Sequence, residues 1–139
     1  MASGGKIRLL IAEDNAAYRY ALITILKEYP SLEVVGEATD GEDAIRRAEE
    51  LRPTIVLMDI NMPKLDGIAA TRRLKSQYKE ITVIGLSVRA DQDYVDAMRN
   101  AGAGELLPKE NATQDSYGAI QRAMALRDNP LSITNESCC

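Results

Sequence analysis

Apolar and polar positions along the chain alternate between two regimes. Residues 7–12 form a continuous apolar run broken only by Arg8, the pattern of a parallel strand buried on both faces. Asn15 then offers an N-cap, and Ala21, Leu22, Ile25, Leu26 and Tyr29 recur at helical spacing until Pro30 stops the helix. Residues 32–38 read as a second strand. Asp40 reads as the cap of a helix striped by Ala44, Ile45, Ala48 and Leu51. Pro53 restarts the chain, and residues 54–58 give a third strand ending on Asp59. A loop at 61–67 carries Pro63 and an Asp66-Gly67 turn signal, and a helix follows to about Tyr78. A fourth strand at 81–86 ends at Ser87, and a helix marked by Tyr94, Val95, Met98 and Ala101 is closed by Gly102. Leu106 and Leu107 leave a short fifth strand before Lys109. Tyr117, Ile120, Ala123 and Met124 stripe a last helix that fades near Asp128, Asn129 and Pro130.

Five strand–helix units in strict alternation predict an α/β fold, a parallel sheet with helices on both faces. Right-handed crossovers leave few windings, and five strands favour the flavodoxin-like order 2-1-3-4-5 with five flanking helices. We expect a tail over residues 1–5, one domain over 6–127, and a tail or truncated linker over 128–139. In this winding ligands bind where the strand order reverses, between the carboxyl ends of strands one and three. Glu13 and Asp14 end the first strand and Asp59 ends the third, so three carboxylates fall on the predicted switch point.

Composition narrows the chemistry. The chain has 139 residues and a formal net charge of −4, which argues against a general nucleic-acid or membrane-surface binder. It has no His, which removes the usual neutral-pH acid/base catalyst and the commonest transition-metal ligand. The two cysteines, Cys138 and Cys139, are adjacent at the C-terminus and cannot staple the fold, so they read as part of a tail. No apolar run approaches a membrane span and the start MASGGK has no signal-peptide core, so a cytoplasmic location is expected.

Three close carboxylates repel unless protonated or neutralised by a cation, and a set of hard oxygen ligands favours Mg²⁺ (or Mn²⁺). An Asp at a strand end beside such an ion can attack phosphorus and form an aspartyl phosphate. Phosphoryl transfer asks the protein for positioning and charge stabilisation, which the Ser87 hydroxyl and the Lys109 ammonium can supply. Taken singly, each residue also has a plainer reading: Asp59 as a strand-terminating turn residue, Ser87 as a structural hydroxyl, Lys109 as a surface amine. Asp66-Gly67 reads as a turn rather than a ligand.

The segments IRLLIAEDN, VLMDINMPKLDGI, VIGLSV and AGAGELLPKE together resemble the receiver domain of two-component response regulators, which is CheY-like in fold. The resemblance spans about residues 6–127, and LEVVGEATDGEDAI with the leucines before Lys109 is most similar to the NarL/FixJ (LuxR-type) subfamily. It implies a signalling switch rather than an enzyme. Asp59 would be the phosphoacceptor, supplied by a sensor histidine kinase or phosphotransfer protein. Glu13, Asp14, Asp59 and the backbone carbonyl of Asn61 would hold Mg²⁺. Ser87 and Lys109 would contact the phosphoryl group, and Asn61 and Arg89 would tune its hydrolysis. Members of this subfamily normally precede a DNA-binding domain, so the chain reads either as a receiver excised from a transcription factor or as a stand-alone receiver, with transcription the expected output and no direct nucleic-acid contact by this chain. A self-dimer through the first or last helix stays open.

Two positions depart from the family pattern. Leu106 stands three residues before the lysine, where the family usually has Tyr or Phe, which puts the usual aromatic readout in question. Pro108 precedes Lys109 and removes a backbone donor, so a weakened strand end and a repositioned Lys109 are expected. Two rival readings remain: a pseudo-receiver interaction module working without phosphorylation, and a metal-dependent phosphatase. The phosphatase would need an Asp two residues after its nucleophile, where this chain has Asn61.

Overall fold

The computed structural model describes residues 5–89 and 91–127. The elements are β1 (Ile7–Ala12), α1 (Ala16–Leu26), β2 (Leu32–Ala38), α2 (Gly41–Leu51), β3 (Ile55–Asp59), α3 (Gly67–Gln77), β4 (Thr82–Ser87), α4 (Gln92–Ala101), β5 (Glu105–Pro108) and α5 (Lys109–Arg127). The strands form one parallel sheet in the order β2-β1-β3-β4-β5. The predicted fold class and winding are those observed. Of the predicted tails at 1–5 and 128–139, residues 1–4 and 128–139, with Cys138 and Cys139, lie outside the described residues, as does the fading of the last helix near Pro130.

The continuous apolar runs resolve into two sets, because successive strand side chains point to opposite faces. Leu10, Ala12, Val56 and Met58 join Ala44, Ala48, Ala70, Leu74 and Met98 from α2, α3 and α4 in one buried layer. Leu9, Ile11, Ile55, Leu57, Ile84 and Leu86 join Leu22, Leu26, Ala119 and Ile120 from α1 and α5 in the other. A central strand that feeds two cores has no polar face to show, which is why β1 and β3 lack alternation.

Short side chains begin four of the helices. Asn15, Asp40, Asp66 and Asp91 are N-caps whose side chains accept from the N–H of Tyr18, Asp43, Ala69 and Tyr94. Asp66 is thus a helix cap rather than a free turn residue. Gly102 closes α4 at φ 111°, a left-handed conformation that glycine adopts without a Cβ clash.

Two local expectations are corrected. The first helix ends at Leu26, before Tyr29, since a residue preceding proline is disfavoured in the α region. The Tyr29 ring instead stacks on Tyr117 of α5, with centroids 3.9 Å apart and planes 8° from parallel. At the other end of the sheet, Pro108 does not displace Lys109. It stays in register opposite Ser87 on the edge strand, where one missing donor is tolerated, and Lys109 still reaches the acidic cluster. Among the described residues no helix is long and apolar enough to cross a membrane.

Candidate phosphoryl and cation site

The site lies at the carboxyl ends of β1 and β3, where the strand order reverses. The backbone N–H of Glu13 bonds the Ala38 carbonyl at 2.9 Å, carrying the β1–β2 pairing one residue past the strand and directing the side chain inward. Glu13 is fully buried, and its Oε2 accepts from the Asn15 N–H at 2.9 Å. Asp14 is exposed at the mouth. Asp59 is the last residue of β3, buried, with Oδ1 accepting from the Asn61 N–H at 3.0 Å. One carboxylate oxygen from each of Glu13, Asp14 and Asp59 lies within 4.8 Å of the others.

Lys109, the first residue of α5, points its ammonium into this cluster. Nζ is 3.1 Å from Asp59 Oδ2 and 2.7 Å from Glu13 Oε1. The 2.7 Å contact with Glu13 is an ion pair made by its buried Oε1. Burial pushes the Asp59 carboxyl up to about 6, and the charge on Glu13 adds to that push; the Asn61 N–H and Lys109 work against it. For Lys109, burial favours the neutral amine, but the Glu13 and Asp59 carboxylates outweigh it and raise its pKa.

The other predicted residues occupy the rim in different ways. Ser87 is buried at the end of β4, but its hydroxyl donates to the Arg89 carbonyl and accepts from the Arg89 N–H at 3.1 Å, closing a turn. Arg89 is exposed, with its guanidinium 3.4 Å from Asp91. Leu106 faces away from the cluster and packs with Met98 over Gly85, where an added Cβ would lie 2.6 Å from Met98 and 2.8 Å from Leu106.

Several supporting residues were not foreseen from the sequence. Arg19 donates to the Glu13 carbonyl at 2.7 Å and pairs with Glu37 at 2.7 Å, bracing the β1 end. The Tyr18 hydroxyl donates to the Lys109 carbonyl at 2.9 Å, and burial, followed by the charges of Glu13 and Asp59, raises its pKa to about 12. Gly67 lets α3 press against β3, since a Cβ there would lie 2.1 Å from the Asp59 carbonyl oxygen. The signal for Gly67 was present in its place after an N-cap; for Tyr18 and Arg19 it was only helical spacing from Asn15.

The donor set fits a small hard cation. It consists of one carboxylate oxygen from each of Glu13, Asp14 and Asp59, beside an exposed mouth through which water can complete the shell.

Comparison with known proteins agrees with this geometry. Residues 9–121 match the sequence model of the response regulator receiver domain. The chain is 40% identical over 105 residues to the transcriptional regulatory protein DegU of Brevibacillus brevis, covering 76% of this chain and 44% of that protein. It is 36% identical over 117 residues to the transcriptional regulatory protein LiaR of Bacillus subtilis, covering 84% of this chain and 56% of that protein. The chain thus spans about half the length of these relatives. Among solved structures it resembles the signal receiver domain of NarL from Mycobacterium tuberculosis, with a TM-score of 0.81 at 25% identity, covering 86% of this chain and 96% of that one. It also resembles the response regulator domain of Thermotoga maritima CheB, with a TM-score of 0.79 at 28% identity, covering 86% and 97% of the two chains. With the switch-point carboxylates, the facing amine and this match over most of its length, the chain belongs to the response regulator receiver domain family of two-component systems.

Proposed function

We propose that the chain is a phosphorylation switch whose acceptor is Asp59, loaded by a sensor histidine kinase or phosphotransfer protein in a Mg²⁺-dependent reaction. The observation that carries this reading is the position of Asp59. It is buried at the switch point, with Glu13 and Asp14 oxygens within 4.8 Å and the Lys109 ammonium at 3.1 Å. Glu13, Asp14, Asp59 and the Asn61 carbonyl would hold the cation, which when bound supplies charge neutralisation for the incoming phosphoryl oxygens. One Asp59 oxygen attacks phosphorus, an O–P bond forms and the N–P bond of the phosphohistidine donor breaks. The bonding pair stays with the departing imidazole nitrogen.

Lys109 then pairs with a phosphoryl oxygen, and the Ser87 hydroxyl exchanges the Arg89 carbonyl for another. Phosphorylation adds about −2 charge and new acceptors. It shifts the resting arrangement only as far as it favours the alternative, so the turn that Ser87 closes with Arg89 is the element it biases. Leu106 and Met98 lie on the α4 side of the sheet, and with no aromatic ring at position 106 the readout passes through aliphatic packing. The names of DegU and LiaR support transcription as the output, exerted with the remainder of a longer regulator in the cytoplasm. Wild-type and Asp59→Asn protein are incubated with acetyl phosphate and Mg²⁺ and weighed intact. One phosphoryl group is expected on the wild type only, and a mass gain that survives the substitution refutes Asp59 as acceptor.

A further inference from the structure

We infer that Tyr18 is a positioning residue for Lys109, holding its backbone and its ammonium together so that the amine stays in the site when the carboxylates no longer attract it. The inference rests on the phosphoacceptor reading above and adds a residue to it.

Tyr18 sits in the first turn of α1, and its N–H bonds the Asn15 cap at 2.9 Å, so its Cα position is set by the helix start. From there the phenol crosses to the β5–α5 junction. Its hydroxyl donates to the Lys109 carbonyl at 2.9 Å, and the face of its ring lies 5.0 Å from Nζ. That junction is short of backbone donors because Pro108, the residue before Lys109, has no N–H. The hydroxyl provides a tie from the neighbouring helix at the place where the strand cannot provide one. This accounts for Lys109 reaching Asp59 in spite of Pro108.

The ring matters for a second reason. Lys109 is held by Glu13 and Asp59. A divalent cation on the same carboxylates cancels most of that attraction. An uncharged aromatic face is not neutralised by the cation, and an ammonium within about 6 Å of a ring centroid retains its attraction to it. Tyr18 therefore contributes most in the loaded state.

Lys109 and Mg²⁺ compete for the carboxylates, whereas Lys109 and a phosphoryl group attract. Loss of Tyr18 must then split two affinities that a general loss of structure would lower together. Calorimetric titrations would measure Mg²⁺ alone, then beryllofluoride at saturating Mg²⁺, on wild type, Tyr18→Phe and Tyr18→Leu. Tyr18→Phe keeps the ring and removes the hydroxyl; it is expected to weaken beryllofluoride binding about threefold to tenfold. Tyr18→Leu is expected to weaken it further, and neither change should weaken Mg²⁺ binding. In a Lys109→Ala background, Tyr18→Phe should cause no further loss of beryllofluoride affinity, because the residue it acts through is gone. Equal losses of both affinities, no loss of beryllofluoride binding, or a full effect in the Lys109→Ala background would each overturn the assignment. Tyr18→Phe alone decides the matter should the Leu variant not fold. A wild-type protein that binds Mg²⁺ but no beryllofluoride would instead defeat the phosphoacceptor reading itself.

Discussion

Replacing Asp59 by Asn tests the electrostatics of the site without reference to any partner. Burial and the Glu13 charge lift the Asp59 carboxyl from 3.8 to about 6 in the folded chain. The unfolded chain has no such constraint and ionises near the ordinary value. Holding the carboxylate charged in the fold therefore costs at most about 3 kcal/mol at neutral pH, less what solvent screening returns. Asn removes that cost while its amide oxygen still accepts the Asn61 N–H, and Lys109 keeps Glu13 as a partner. The substitution is thus expected to stabilise the metal-free protein by about 1–3 kcal/mol at pH 8. The direction with pH follows from the raised folded pKa. Below 3.8 both states are protonated and the penalty is absent; it grows between 3.8 and about 6 and is complete above. Urea unfolding in EDTA at pH 8 and near pH 4 measures the gap, which should close at the lower pH. Saturating Mg²⁺ should then reverse the order at pH 8, since a ligand at a hundred times its Kd adds about 2.7 kcal/mol to the state that binds it. An Asn variant that is less stable than wild type at pH 8 without metal, or a gap equal at both pH values, would refute this account.

Two further substitutions probe the surroundings. Lys109→Ala strands the buried Glu13 and Asp59 carboxylates and is expected to cost about 3 kcal/mol without metal. That loss should shrink as Mg²⁺ is added, and the Mg²⁺ affinity read by calorimetry should rise. Gly41→Ala would bring a Cβ within 1.8 Å of the Leu65 carbonyl oxygen. It should push the loop carrying Asn61 away from α2, with a cost of about 1–3 kcal/mol and weaker Mg²⁺ binding. Gly104→Ala, where the nearest atom is 3.8 Å away, is the matched control and should change thermal stability by less than about 0.5 kcal/mol.

The elements and the chemistry at their ends are legible in the order of the amino acids. Apolar runs marked β1 and β3, Asn15 and Asp40 marked helix starts, and strict alternation selected the sheet order that brings Glu13 beside Asp59. These are legible because periodicity, capping and crossover handedness act over a few residues or follow from connectivity alone. How each side chain of the site is used depends on packing between elements. Glu13 is buried while its neighbour Asp14 is exposed, Ser87 turns its hydroxyl to Arg89, and Leu106 packs on Met98. Lys109 was expected to shift because the missing donor of Pro108 is a local fact. Its ammonium pairs with Glu13 and Asp59, and its carbonyl accepts from a phenol on another helix, 91 positions away in the chain. Such a contact depends on the relative placement of α1 and α5 across one face of the sheet, and no pattern within either segment encodes that distance.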